Sequence, residues 1–374
     1  MRCIAFQASF TERGSQVQTF DYALYAKQLL GVRVIIISGD PINTSTATLV
    51  QTRWKNHFEL TPQSSSWTEI AARLREQSCF DLYLCTHGKR SGPNAPVKMV
   101  EALMRGGVRV HIHAIFYGVV PWGSTFARVG GAIRAGTSDS PVVPLIVRPG
   151  ELVGENMRQR LGIGENATVF CRHGGVDTFN IDIAKRAVQR VAKQRPDIYF
   201  VFLNTLPFAP EQPNLLHLPA IVTTEGKARF IRTCDAMLHA RADGETFGLS
   251  VAEFSSHNKP VLTFCPKDIC AKNLANTTKL GKWNQVIGKR RYQVWYEHAR
   301  ILGAKGLFYS ELAELENTML TFNRTAAGLR RDWNAYEQFV PEKVIGQFSS
   351  VFLQGDLTRG GVRGDAALAN AAPY

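Results

Sequence analysis

Short, almost wholly apolar runs alternate along this chain with longer segments of helical periodicity, and the alternation restarts near residue 150. Val32 to Ser38 reads Val-Arg-Val-Ile-Ile-Ile-Ser, and residues 2 to 8, Phe80 to Cys85 and Val108 to Phe116 are built alike. A strand with one wet face alternates polar and apolar residues. A near-continuous apolar run is buried on both faces, which requires a parallel sheet coated by helices on each side. Between these runs, Ser15 with Gln18 predicts a capping box opening a helix to about Leu30. Ser66 with Glu69 predicts another, ahead of a helix to about Gln77, and residues 96 to 105 read as a third helix. Pro141 to Val147 is expected as a further strand.

Residues 148 to 153, Arg-Pro-Gly-Glu-Leu-Val, punctuate the chain before the second series. Strands are expected at Ala167 to Cys171, Ile198 to Asn204, Asp235 to Ala240 and Pro260 to Phe264. Helices are expected over Ile181 to Lys193, near 225 to 233, and from about Gly248. Three helices follow, at 311 to 322, 327 to 336 and 341 to 353. Residues 355 to 374 are rich in Gly and Ala with few large apolar side chains, and read as a disordered tail. The 374 residues are too many for one ordinary core. Two doubly wound α/β domains in tandem account for the pattern, with ligands expected beyond the carboxyl ends of the strands, in a cleft between the sheets.

Composition narrows the classes further. With 45% apolar and 20% charged residues the chain is of soluble globular type, and it contains no uncharged apolar run of about 18 residues. Its start lacks the three-part layout of a secretory signal, so a cytoplasmic protein is expected. The seven cysteines are scattered; Cys3, Cys85, Cys171 and Cys265 lie in or beside apolar runs and read as buried free thiols. Cys265 and Cys270 match no zinc pattern. Forty-four basic against thirty-one acidic residues leave a net charge of +13, which favours an anionic partner or a solvated basic surface. The basic residues are not gathered in one arm with interleaved aromatics, so nucleic acid is not expected as a partner.

The segment richest in chemistry is Arg241-Ala-Asp-Gly-Glu-Thr-Phe-Gly-Leu-Ser-Val-Ala-Glu253, after a strand and opening a helix. On one continuous helix, Glu245 and Glu253 would be separated by about 12 Å of rise and about 80° of phase. With Glu245 in the loop and the helix starting near Gly248, both carboxylates reach one cleft from different depths. Gly248 leaves the helix N-terminus open, where unpaired N–H groups and the macrodipole favour a phosphate. A carboxylate accepts two hydrogen bonds in one plane and so suits vicinal hydroxyls, at about 1.5–3 kcal/mol per charge-assisted bond. The plainer alternative makes Glu245 a helix-start acid and Glu253 a surface residue, although Val251, Ala252 and Phe254 surround the latter.

This segment resembles the E-x7-E motif of the family-4 retaining glycosyltransferases of GT-B fold. The resemblance implies two Rossmann-like, doubly wound parallel-sheet domains facing a central cleft. Residues 1–150 would be the acceptor domain and 151–338 the nucleotide-sugar donor domain. Trp333-Asn-Ala-Tyr-Glu-Gln-Phe339 and the helix after Pro341 resemble the family's C-terminal segment, so 339–353 would cross back to the first domain. It further implies that Glu245 holds the donor hexose and Glu253 the ribose hydroxyls. Thr246 would join the donor-binding residues, and Phe247, Gly248 and Leu249 would offer backbone amides. Val169-Phe-Cys-Arg-His-Gly-Gly175 is similar to the family's diphosphate clamp, with Arg172 as the guanidinium suited to that task. The chain departs from the pattern in having Cys171 for the usual Gly and no Lys between 173 and 184. The clamp then falls to Arg172 with the amides of Gly174 and Gly175, or to a distant cation such as Arg241, or the site is catalytically impaired. In the first domain, Phe10-Thr-Glu-Arg-Gly-Ser resembles the family's first loop, with Gly14 permitting close backbone approach to the donor phosphate or acceptor. His113 matches a strand-end histidine that faces the sugar; as His111 and His113 share a strand face, a buried histidine pair is the competing reading.

What the resemblance implies is transfer from a UDP- or GDP-sugar to a glycan, lipid-linked or protein acceptor, with retention. No cofactor or bound metal is expected; the Asp-x-Asp pair that usually holds one on a diphosphate is missing from the sequence. Peripheral contact with an anionic membrane is compatible with the charge. The competing functions are a GT-B nucleotide-sugar epimerase and a non-catalytic sugar-nucleotide-binding protein. A Rossmann dehydrogenase is disfavoured, because no glycine-rich fingerprint follows the first strand of either domain.

Overall fold

The apolar runs assemble as parallel sheets in a computed structural model. It describes residues 2–39, 45–62, 66–89, 96–117, 120–133, 140–150, 154–210, 212–267, 269–270, 283–287 and 290–354. In chain order the first strands are β1 (Cys3–Ala8), β2 (Arg33–Ser38), β3 (Leu60–Pro62), β4 (Asp81–Thr86), β5 (Arg109–Ala114) and β6 (Thr125–Arg128). They form one all-parallel sheet in the order β3-β2-β1-β4-β5-β6. The contacts divide the chain into a unit of residues 1–146 with the chain from Pro341, and a unit of residues 147–340.

In the first unit, helices α1 (Gly14–Leu30), α2 (Ser45–Lys55), α3 (Trp67–Glu76) and α4 (Val97–Arg105) connect the strands. The faces of α3 and α4 that carry Ile70, Leu74, Val100 and Leu103 join Ile35, Leu82, Leu84 and Ile112 in one core. The carboxylate of Asp81, buried at the start of β4, is matched by the Arg109 fork at 2.8 and 2.7 Å and by His111 at 2.8 Å. Burial pulls that acid's pKa up, but His111 and Arg109 outweigh it and hold the carboxyl below its ordinary range. The helix Pro341–Phe348 returns to this unit, where Phe348 stacks on Tyr22 at 4.9 Å.

The second unit repeats the plan with β7 (Thr168–Arg172), β8 (Ile198–Leu203), β9 (Leu215–Leu218), β10 (Ala236–His239), β11 (Gly244–Glu245), β12 (Val261–Phe264), β13 (Trp283–Ile287), β14 (Arg290–Tyr296) and β15 (Gly306–Tyr309). Six of these form a parallel sheet in the order β15-β12-β10-β7-β8-β9; β11, β14 and β13 form a small separate one. Helices α5 (Asp182–Gln194), α6 (Thr224–Thr233) and α7 (Leu249–Ser256) lie in the crossovers. Numbered within its own unit, each large sheet has the order 3-2-1-4-5-6. That is the doubly wound Rossmann arrangement, with a switch point between its first and fourth strands.

Several sequence expectations need correction. Ser15 and Gln18 form no capping box: α1 starts at Gly14 without a side-chain cap. The Gln18 amide instead exchanges two hydrogen bonds with the backbone of Ile146, at 2.8 and 2.7 Å. Pro141 to Val147 is not a strand but a buried extended segment with one bridge, Arg128 to Val142, because Pro141 and Pro144 have no N–H to give a ladder. The expected helix over 327 to 336 is shorter and earlier, Arg324–Leu329. The chain beyond it is held extended by Ser255, which donates to Trp333 O and accepts from Ala335 N, both at 2.9 Å. The strands β3, β6, β9, β11 and β15 were too short to read, α2 lacks a clear apolar stripe, and β13 and β14 were not read either. The tail at 355–374 lies outside the described residues.

The cysteines differ most. Cys171 and Cys234 form a disulfide with Cα atoms 5.6 Å apart, and Cys265 pairs with Cys270 at 5.9 Å. Cys171 and Cys265 are therefore not free thiols. Strand β10 lies beside β7 and Cys234 ends the α6 crossover into β10, so the fold brings together positions 63 residues apart. Cys3, Cys79 and Cys85 are free and buried. Among the described residues, no helix is long and apolar enough to cross a membrane. Alkylation after denaturation without reductant should label three thiols, Cys3, Cys79 and Cys85, and all seven after reduction. Seven labelled at the first step would refute both bridges.

Candidate functional site

The second sheet's switch point lies between β7 and β10, so the crevice at their carboxyl ends is where the fold places a ligand. Strand β7 ends at Arg172 and β10 at His239, and the loop after β10 carries Arg241 and Glu245 before α7 opens at Leu249. Arg172, His173, Arg241, Glu245 and Glu253 thereby meet at one end of one sheet.

Arg172 is only 3% exposed. Its guanidinium donates to Asn204 O at 3.3 Å, Gly175 O at 2.8 Å and the Thr178 and Thr205 hydroxyls, and lies 6.0 Å from the Phe179 ring. All of these acceptors are neutral; among the described residues Arg172 has no ion pair. Burial lowers its pKa to about 10, with Glu245 opposing and Arg241 reinforcing the shift. A guanidinium stays charged even so, and a desolvated cation with no carboxylate in direct contact attracts an anion. The turn that follows is tied back: Gly174 O accepts from Asn204 Nδ2 at 2.8 Å.

Glu245 precedes the α7 helix, as expected, but lies in the two-residue strand β11 rather than in a loop. Arg241 donates to its Oε2 at 2.9 Å and His239 Nε2 lies 3.4 Å from its Oε1. Burial works to raise this acid, but Arg241 and His239 prevail and hold it at about 2. Arg241 is thus engaged by Glu245. Behind them the Thr263 hydroxyl stands between His239 Nδ1 at 2.8 Å and His298 Nε2 at 3.1 Å, so it donates to one ring and accepts from the other. His298 is fully buried; desolvation, reinforced by His239, pushes it down to about 3.

Glu253 lies one helix further along, 2.9 Å from His173 Nε2. Burial raises this acid too, yet Lys227 and His173 bring it to about 2. The His173 ring stacks on Phe254 with centroids 5.4 Å apart. Gly248 is the N-cap of α7 and has φ of +85°, where a Cβ would also come within 3.0 Å of His298 Cβ. Glycine meets both demands. The first amides of α7, from Leu249, have no carbonyl partners within the helix. Thr246 and Phe247 are buried. The Phe247 ring packs edge-on against Tyr336 and Phe339, and its carbonyl accepts from the Tyr336 hydroxyl at 2.9 Å. Its side chain is core.

In the first unit, Gly14 begins α1 with nothing within 4 Å of an added Cβ. His113 does not meet its expectation. Its Nδ1 bonds the Tyr83 hydroxyl at 2.7 Å and its Nε2 the Val143 carbonyl at 2.8 Å, leaving neither nitrogen for a sugar. The buried pair with His111 is what the fold contains. Sequence reasoning missed His173, His239, Thr263 and His298. His173 lay inside the clamp motif, and His239 was a polar residue ending an apolar strand. Nothing local pointed to His298. Among the described residues, no group of three or more His, Cys, Asp and Glu side chains is arranged to hold a metal ion.

No family model and no curated protein sequence matches this chain. Solved structures do. Anabaena HepE in complex with UDP-glucose is similar over 93% of this chain and 98% of its own, at 14% identity and a TM-score of 0.64. A glycosyltransferase from Rickettsia africae covers 96% and 99%, at 12% identity and 0.63. A putative UDP-N-acetylglucosamine 2-epimerase from Listeria monocytogenes covers 93% and 95%, at 9% and 0.51. At such low identities the likeness establishes the fold: two α/β units with parallel six-stranded sheets, the GT-B architecture.

Acid should destabilise the protein partly through His113. Burial holds its pKa at about 4 against an ordinary 6.5. The unfolded chain therefore binds a proton that the folded one refuses as pH falls below 6.5, until the folded pKa is reached. That window accounts for about 3 kcal/mol. Urea unfolding of His113→Asn at pH 7, 6, 5 and 4 should show a shallower loss of stability than wild type. An unchanged pH slope would contradict this.

Proposed function

We propose that the chain is a family-4 type glycosyltransferase, moving a sugar from a UDP- or GDP-sugar to a glycan, lipid-linked or protein acceptor, with retention and without a bound metal. In this reading residues 151–338 form the donor domain, and residues 1–150 with 339–353 the acceptor domain. The observation that carries it is Arg172, a buried guanidinium satisfied by neutral oxygens only, at the switch point of a doubly wound sheet. A diphosphate supplies an anion in direct contact, aided by the amides of Gly174, Gly175, Leu249 and Gly248 and by the α7 N-terminus. The UDP-glucose held in the HepE complex supports this class of donor.

Within this site Glu245 stays ionised and accepts the hydroxyls of the donor hexose, with Arg241 and His239 holding its plane. Glu253 exchanges or shares its His173 contact with the ribose hydroxyls. The bond from the anomeric carbon to the diphosphate breaks, and Arg172 stabilises the charge on the departing oxygen. On the same face the acceptor oxygen attacks, and the leaving phosphate takes its proton, so no side-chain base is needed. His113 has no part in this mechanism, and Gly14 lets the first-domain backbone come close to the donor phosphate or the acceptor. The cytoplasmic or anionic-membrane location expected from the sequence runs against the two bridges, Cys171–Cys234 and Cys265–Cys270, which favour an oxidising compartment.

Purified protein, offered a panel of nucleotide sugars with product masses recorded, should transfer hexose only when an acceptor is present. A free sugar or isomer released without acceptor would identify an epimerase. Glu245→Ala should abolish transfer while UDP still binds. Glu253→Ala should weaken nucleotide binding by on the order of 1.5–3 kcal/mol, and Arg172→Ala should raise the barrier by about 2.7–4 kcal/mol. Wild-type kinetics in both glutamate variants would end the proposal.

A further inference from the structure

A cavity of about 330 Å³ opens at the other end of the same sheet. Asp235 immediately precedes β10, and Lys259 with Pro260 immediately precedes β12, so the cavity lies at the amino ends of those strands. Arg172 is at the carboxyl end of β7, which runs parallel to β10, and the two sites are therefore separated by the length of a strand.

Four cations line this cavity: Arg232, Lys259, Arg324 and Arg331, against one carboxylate, Asp235. That carboxylate is already committed. Its Oδ2 accepts from Arg158 at 2.9 Å and from Val169 N at 2.8 Å, and its Oδ1 lies 3.6 Å from Arg324. Among the described residues, Lys259 Nζ and the Arg232 and Arg331 guanidinium groups have no hydrogen bond or ion pair. Helices α6 and α7 end here, and each C-terminus contributes about half a negative charge. One carboxylate and two such ends do not balance four side-chain cations, so the concavity carries a net positive field. Burial lowers the Lys259 pKa against the attraction of Asp235, with Arg158 and Arg232 adding to the shift, which is the behaviour of an ammonium short of a counter-ion.

His257 adds a different requirement. Its Nδ1 donates to the Glu253 carbonyl at 2.8 Å, and its Nε2 is shielded from solvent with no partner. With Nδ1 carrying the proton, Nε2 is an acceptor awaiting an O–H. We infer that this cavity binds a phosphomonoester of a hydroxylated small molecule, the phosphate against Lys259, Arg232 and Arg331 and a hydroxyl on His257 Nε2. A free sugar phosphate and a phosphorylated polyol lipid headgroup share that chemistry. The site is independent of the donor site, whatever the latter binds.

Calorimetry on the full chain at low salt should detect saturable binding of glucose 6-phosphate, tighter than inorganic phosphate, with glucose silent. Saturating UDP should not displace it. Lys259→Gln and, separately, Arg331→Gln at the exposed rim should each weaken it about tenfold or more, while UDP affinity, as the check on folding, stays the same. Vesicles with and without phosphatidylinositol 4-phosphate distinguish the sources. Co-sedimentation that needs this lipid and is lost in Lys259→Gln assigns a headgroup, and binding of the soluble ester alone assigns a metabolite. No binding of either, binding unaffected by both variants, or displacement by UDP would overturn the inference.

Discussion

A strand that runs parallel to its neighbour cannot be reached by a hairpin, and this requirement organises both units. Each parallel connection has to cross over the sheet, usually through a helix, and helices on both faces bury the strands completely. The chain therefore winds outward from the first strand in one direction, then returns and winds in the other. In the second unit that reversal separates β7 from β10. The loops leaving these two strands diverge, and the space between them receives the side chains that end them: Arg172 and His173 from one, and the Arg241 to Glu245 loop from the other.

Because the ends of such strands are buried, polar groups there must be satisfied or left wanting, and the protein does both. At the amino end of the fourth strand of each sheet an aspartate is saturated. Asp81 takes Arg109 and His111, and Asp235 takes Arg158 and the amide of Val169. These pairs act as internal pins, and breaking one would leave a buried charge alone. At the carboxyl end the balance is different. Arg172 is wrapped in neutral oxygens, and Glu245 and Glu253 are held ionised by cations and imidazoles rather than neutralised by protonation. The charges of these groups are thus set by the fold itself, before any ligand is present.

The histidines show how one residue type is used for different ends. His113 is locked by Tyr83 and Val143 in the core of the first unit. His239 and His298 share the Thr263 hydroxyl and brace Glu245 from behind, and His173 holds Glu253. His257 links α7 to the cavity at the far end: it accepts no partner on Nε2, yet its Nδ1 is fixed to Glu253 O. Helix α7 thus spans from one site to the other.

The alternation of apolar runs and helical periods was enough to determine two doubly wound sheets, since only burial on both faces explains runs such as Val32 to Ser38. In the Gly-Glu-Thr-Phe-Gly-Leu segment, the placing of Glu245 ahead of a helix that opens after Gly248 was also legible, because glycine at a positive φ and an open helix end are local properties; that Glu245 pairs as strand β11 was not. What local sequence could not decide was which side chains meet. His113 looked like a site residue until its partners, Tyr83 and Val143, were brought to it by neighbouring strands and a proline-containing segment. Cys171 read as a free thiol until β10 was laid beside β7 and Cys234 was brought to it. Gln18 bonds to Ile146, and Thr263 joins two histidines, across separations that carry no periodic signal. Pairings of this kind arise from strand order, and strand order is set by how whole layers pack, so only the tertiary structure settles them.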